Sequence, residues 1–217
     1  MWIWLSHQLR TETDGYRGVK SLSINHTSSI GNGDSSNSIT FSMDNHLGTH
    51  VDVPYHFIND GLTINEYKPS DWVFNSPLII NKLLSPGVLL TPELMDKEIS
   101  QCDEVDIILI KTGFEKYRGT EIYWENAPGY SSDLCELFLN KFKSLQAIGI
   151  DSISLSSLKH RQEGRKAHKK LLSNGIRIFE DLKLSQILPD KKLIKVIGLP
   201  LIIEGCDGGP CTILGEV

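Results

Sequence analysis

The sequence predicts an α/β fold: a mixed β-sheet with helices packed on it and an additional β layer. Three observations predict it. From residue 91 to 203, strand-like and helix-like segments alternate. Before residue 91, strand signals dominate. Three helical patterns also carry their own start or stop signals. Alternation of this kind builds a sheet covered by helices, and an extra run of strands adds a layer to it. A length of 217 residues is ample for one large core. Residues 31–38 are rich in Gly, Ser and Asn but too few for a linker, so residues 1–217 are read as a single domain.

The strands are expected at residues 2–9, 38–43, 78–83, 105–110, 147–150, 177–179 and 193–203, each rich in β-branched or apolar side chains. Trp2 and Trp4 fall on one face of the first, either in the core or at an interface. The first helix is expected to begin at Thr91-Pro92-Glu93, with Thr91 as N-cap and Pro92 at the first helical position. Ser131 or Ser132 caps the second, whose apolar face is Leu134, Leu137, Phe138 and Phe142. The third ends at Asn174-Gly175, with Ala167, Leu171 and Leu172 as its inner stripe. Between the first two helices, residues 113–129 carry Tyr117, Tyr123 and Trp124, either as a substrate lid or as a packed surface loop.

Composition narrows the class. With 40% hydrophobic and 23% charged residues the chain reads as a globular protein. A net charge of −5 argues against a nucleic-acid partner, which calls for a basic face. The basic cluster His160, Arg161, Arg165, Lys166, Lys169 and Lys170 is read as a solvated helix face. Cys102, Cys135, Cys206 and Cys211 form no Cys-x-x-Cys pair, which disfavours a thiolate metal site and suits a reducing compartment. No apolar run approaches the roughly 18 residues of a membrane span, and the first residues lack the basic start of a signal peptide. The expected location is the cytoplasm, with no membrane partner.

Residues 46–56 carry the chemistry, reading His-Leu-Gly-Thr-His-Val-Asp-Val-Pro-Tyr-His. Gly48, Thr49, Val51, Val53 and Pro54 all disfavour a helix. In an extended chain, alternate residues point the same way. His46, His50, Asp52 and His56 then share one face. Burying four such groups unpaired costs several kcal/mol, and a metal ion removes that cost. A flat strand from His46 to Asp52 spans roughly 20 Å at about 3.3 Å per residue. Two ligands of one ion bridge only about 12 Å between α-carbons. The segment must therefore bend, and Gly48-Thr49 is the expected hinge. Nitrogen and oxygen donors favour zinc or manganese with a small-molecule substrate. His56 suits acid/base work beside the ion, because an imidazole both takes and gives up a proton.

The pattern His-x-Gly-Thr-His-x-Asp-x-Pro-x-His resembles the signature of the cyclase family, which includes bacterial kynurenine formamidases and isatin hydrolases. Further segments are similar to it: Leu5-Ser6-His7, Lys111-Thr112-Gly113 (where an Arg-Thr-Gly is common), Pro128-Gly129-Tyr130-Ser131, Ile148-Gly149-Ile150-Asp151, and Gly198 to Leu201 through Glu204 to Gly208. The resemblance implies a cyclase-like β/β/α fold. It implies a first ion on His46, His50 and Asp52, with Asp52 bridging to a second ion on His168 and Glu180. Isatin hydrolases use one manganese, so one or two ions are expected. His56 matches the family's proton donor and acceptor. From the residues alone, His168 and Glu180 can reach one sheet end, but a core histidine and a capping acid stay open.

The same resemblance implies cleavage of a small molecule's C–N amide bond, with N-formylkynurenine, in tryptophan catabolism, as the best-known substrate. Tyr16, in Tyr16-Arg17-Gly18, stands nearest the family's substrate-contacting aromatic, and Arg17 either meets an acidic substrate or is simply exposed. A homodimer or homotetramer is implied. The alternatives are lactam hydrolysis, dehydration or cyclisation on the same metal, or a non-catalytic protein that binds a metal and a small acid.

Overall fold

The continuous apolar runs of the sequence become the middle of the sheet. The computed structural model describes residues 1–95, 99 and 104–217. Its strands are β1 (Trp2–Trp4), β2 (Ser23–Ser28), β3 (Ser38–Ser42), β4 (His50–Asp52), β5 (Val73–Phe74), β6 (Pro77–Asn81), β7 (Leu89–Leu90), β8 (Ile107–Lys111), β9 (Gly129–Tyr130), β10 (Ala147–Ile150), β11 (Arg177–Glu180), β12 (Lys195–Pro200) and β13 (Gly208–Glu216). The α-helices are α1 (Glu121–Glu125), α2 (Ser132–Lys141) and α3 (Arg161–Ser173). The large sheet runs β5-β12-β13-β4-β11-β10-β8-β6, with β1 also on β13. Strands β6, β8, β10 and β11 are parallel neighbours. The pairs β11–β4, β4–β13, β13–β12 and β12–β5 are antiparallel, so the sheet is mixed.

Strand β8, Ile-Ile-Leu-Ile-Lys, is buried along almost its whole length, as expected of a parallel strand covered on both faces. Its side chains alternate between two cores. Ile108 and Ile110 join Leu134 and Phe138 of α2 and Leu171 of α3. Ile107 and Leu109 join Phe74 of β5, Val196 of β12 and Ile213 of β13. The antiparallel strands therefore curl over the face of the parallel ones that the helices leave free. That is the additional β layer.

Helices α2 and α3 follow their sequence signals. Ser131 accepts a hydrogen bond from the Leu134 amide at 3.2 Å and caps α2, and Asn174 closes α3. The first expected helix differs: Pro92–Leu94 is a single 3₁₀ turn, and its expected continuation, like Cys102, falls at least partly outside the described residues. The N-terminal strand is shorter than expected, ending at Trp4, with Ser6 making one bridge to Leu182. Trp2 and Trp4 are 49% and 60% exposed, so they are not core. Residues 113–129 do not form a lid. Tyr123 packs with Phe114 and Ile153, and its hydroxyl donates to Asp181. Trp124 lies directly under the turn at Gly18.

Asp151, at the end of β10, ties down the loop after β8. Its carboxylate accepts from the Thr112 amide (3.0 Å) and the Gly113 amide (2.7 Å). Burial raises its pKa to about 6 against those hydrogen bonds. Because the folded value lies above the ordinary 3.8, this group favours folding below about pH 4 and loses that contribution as pH rises through about 6.

Candidate metal centre and its cavity

Strand β4 is the platform of the site. It lies between β11 and β13, hydrogen-bonded on both sides, which fixes its side chains against a rigid backbone. Val51 points into the β-layer core, so His50 and Asp52 point to the opposite, helix-covered face. On β11, Glu180 is the direct cross-strand partner of His50. The register alone thus sets an imidazole and a carboxylate side by side. His168 comes down onto the same face from α3, on the side that also buries Ala167, Leu171 and Leu172.

The expected hinge is present, but the extended segment is shorter than the sequence implies. Gly48 has φ 69°, a left-handed value, and a β-carbon there would lie 2.4 Å from Leu9 Cδ2. His46 therefore sits on a turn rather than on the strand. His56 sits on the 3₁₀ turn Pro54–His56. The four residues do not share one strand face. Two turns, one at Gly48 and one started by Pro54, fold His46 and His56 back over His50 and Asp52. The ring centroids of His46 lie 5.1 Å from His50 and 4.2 Å from His56.

The donor set fits a divalent ion. His50, Asp52, His168 and Glu180 are each at most 3% exposed. His50 Nε2 lies 3.4 Å from both Asp52 Oδ1 and Glu180 Oε2. His168 Nε2 lies 3.6 Å from Asp52 Oδ2 and 3.2 Å from Glu180 Oε1. Ligand atoms on one tetrahedral ion at about 2.0–2.2 Å stand about 3.3–3.6 Å apart. The outer nitrogens agree. His50 Nδ1 donates to the Gly48 carbonyl and His168 Nδ1 to the Gly164 carbonyl, each at 2.7 Å. That leaves both Nε2 lone pairs aimed at carboxylates, the usual outer support of metal-bound histidine. Two groups of donors converge, His46–Asp52–His56 and His50–Asp52–Glu180, and they share Asp52.

The same residues hold protons when no ion is bound. Burial lowers the His46 imidazole, but hydrogen bonds to Asp207 and Asp52 outweigh it and place it at about 9. Burial raises Asp52, yet His46 and His50 hold it well below the usual carboxylate range. A cation must displace such protons. Zinc binding at about pH 7.5 is therefore expected to release at least one proton per chain, read by calorimetry in buffers of differing ionisation enthalpy. A buffer-independent heat contradicts this. The folded value for His46 exceeds the ordinary 6.5, so its stabilisation of ion-free protein is complete below about pH 6.5 and lost as pH rises through about 9.

The cluster forms the floor of a cavity of about 280 Å³, lined by Tyr16, Phe57, Ile153, Arg161 and Arg165 as well as the donors. Phe57 stacks on His168 at 4.8 Å and holds its ring. Tyr16, the expected substrate-contacting aromatic, is among the residues that line the cavity. Lys111 and Arg17 do not line it: the Lys111 ammonium donates to the Ile187 carbonyl at 2.7 Å, on another face of the molecule. The solvated-face reading of the basic cluster holds for Arg161, Arg165, Lys166 and Lys169, all of them exposed, and Arg161 and Arg165 also line the cavity.

Asp207 has no role in the sequence reading, because an acid in the Gly-rich stretch of residues 205–209 reads as a turn residue. In the structure its Oδ2 lies 2.6 Å from His56 Nδ1 and 3.0 Å from His46 Nε2, and Asn45 Nδ2 donates to its Oδ1 at 2.7 Å. Only the pairing of β13 with β4 brings it there. Its neighbour Gly208 leaves room for His46: a β-carbon would lie 2.8 Å from His46 Cε1 and 2.4 Å from the Val51 carbonyl oxygen. Gly208→Ala is expected to cost about 1–3 kcal/mol. The melting temperature then falls by roughly 2–10 °C. An unchanged Tm contradicts this packing.

The family model described as "Putative cyclase" matches residues 3–157. A kynurenine formamidase of Bacillus cereus is 27% identical over 210 residues, covering 96% of this chain and 94% of that protein. Among solved structures, isatin hydrolase A from Labrenzia aggregata superposes with a TM-score of 0.85 at 21% identity, covering 100% of this chain and 93% of that one. A protein of Bacillus stearothermophilus described as a predicted metal-dependent hydrolase superposes with a TM-score of 0.79 at 21% identity, covering 99% and 97%. The two structures share the fold.

Proposed function

This chain belongs to the cyclase family, and on that premise we propose that the enzyme hydrolyses the C–N amide bond of a small aromatic molecule, an aryl formamide such as N-formylkynurenine. The observation that carries the reading is the convergence of His50, Asp52, His168 and Glu180 on one point beneath a cavity, with His56 at its side. His46, His50 and Asp52 would hold a first ion, and Asp52, His168 and Glu180 a second where two are bound. Zinc and manganese suit these donors. When bound, the ion lowers the pKa of water and polarises a carbonyl.

His56 supplies the proton traffic. Its Nδ1 donates to Asp207, so Nε2 carries the lone pair. Nε2 takes a proton from the attacking water and passes it to the departing nitrogen. One water is consumed, and formate and an arylamine leave. Asp207 fixes the ring and its tautomer. Tyr16 and Phe57 offer the ring of the substrate two aromatic surfaces.

The test is turnover by metal-loaded protein of N-formylkynurenine, isatin and simple anilides. Hydrolysis of the formamide supports the reading. Bound metal with no turnover of any of them removes it. No helix among the described residues is long and apolar enough to cross a membrane. The free thiols Cys135, Cys206 and Cys211 support the cytoplasm as compartment. The expected homodimer or homotetramer is supported by the exposed Trp2, Trp4, Ile39 and Phe41.

A further inference from the structure

Helix α3 presents two different basic faces. On the outside, Lys166 pairs with Glu163 at 2.7 Å and Lys170 pairs with Glu136. Those cations are already matched. Arg161 and Arg165, one turn apart, are exposed at the edge of the cavity they line, and neither has an acidic or hydrogen-bonding partner among the described residues. His168, on the same face a turn further on, belongs to the donor cluster. At 1.5 Å per residue, Arg165 and Arg161 are about 5 and 10 Å along the axis from it. Helical side chains lean towards the N-terminus, so both guanidiniums gather at the outer end of the cavity. The Tyr16 phenol lies in the field of Arg161 and Arg165. The chain carries a net charge of −5, so unmatched cations here do not follow from a basic composition.

We propose that Arg161 and Arg165 determine specificity by holding a carboxylate of the aromatic amide substrate, whose ring lies against Tyr16 and Phe57 and whose amide lies beside His56. This rests on the amide-hydrolase reading above. Guanidinium forks match a carboxylate in shape and charge, and charge-assisted hydrogen bonds are the strong ones. A cavity of about 280 Å³ has room for one aromatic ring and its substituents.

Two measurements on metal-loaded protein test it. The first compares kcat/KM for N-formylanthranilate and formanilide, which differ by the carboxylate. The acid is expected to be favoured by about 10- to 100-fold. In the double variant R161Q/R165Q the ratio falls to about one. In K169Q, a change at an exposed residue away from the cavity, the ratio stays where it was. A wild-type ratio near one, or a ratio that survives in the double variant, overturns the proposal and leaves the hydrolase reading intact. The second measurement is equilibrium binding of benzoate against benzamide. Benzoate binding weakened about tenfold or more in R161Q/R165Q, at unchanged metal content, supports the pair even if neither amide is turned over. In that case it is the hydrolase reading that fails. Benzoate binding indifferent to both arginines overturns the pair.

Discussion

Asp52→Ala is expected to yield a protein that neither retains metal nor turns over substrate. Asp52 is 1% exposed and faces three imidazoles: His46 Nδ1 at 2.8 Å, His50 Nε2 at 3.4 Å and His168 Nε2 at 3.6 Å. It belongs to both donor groups. Its loss therefore removes the one negative charge that either ion position would share. Metal catalysis contributes several kcal/mol, and each 1.36 kcal/mol is tenfold, so turnover should fall at least about 10³-fold. Elemental analysis after dialysis reads the metal, and circular dichroism reads the fold. Asp52→Asn keeps the shape of the side chain and should lose metal with the fold intact. Full metal content in both variants contradicts the assignment.

His56→Ala should separate chemistry from metal binding. His56 reaches the cavity from its own turn and is held by Asp207 rather than by the buried carboxylates. General acid–base catalysis is worth about 10²–10⁴-fold, and kcat should fall by that factor. Metal content and Tm should stay near the wild-type values. Asp207→Asn should lower kcat less and alter the pH profile, because an amide donates as well as accepts, so the ring keeps its place but its tautomer is no longer fixed. Loss of metal in His56→Ala moves His56 into the ligand set, a role its place in the His46–Asp52–His56 group makes geometrically open. Unchanged kcat removes it from the mechanism.

Much of this was legible in the residues because local rules governed them. The continuous apolar run in residues 105–110 and the capped pattern from Ser131 each specify their element with little outside help. Gly48 was legible as a hinge because metal reach and strand length conflict without one. His168 and Glu180 needed the family resemblance, since the contact between them is made by register: β11 sets Glu180 opposite His50, and no local pattern encodes that pairing. Strand β13 escaped because it opens with Gly-Gly-Pro, which reads as a turn, and Asp207 escaped with it. The place of Arg161 and Arg165 at the cavity escaped for another reason. Their cluster has lysines on several sides of the same helix, and charge alone does not say which exposed side borders a cavity.

Anomalous diffraction from crystals of the zinc-loaded protein, collected on both sides of the zinc edge, locates the ion itself. One or two peaks are expected within about 2.0–2.2 Å of donor atoms of Asp52 and of His50 or His168, under the cavity that His56 borders. Zinc on surface residues alone, with His50, Asp52, His168 and Glu180 joined only to one another, would contradict that placement.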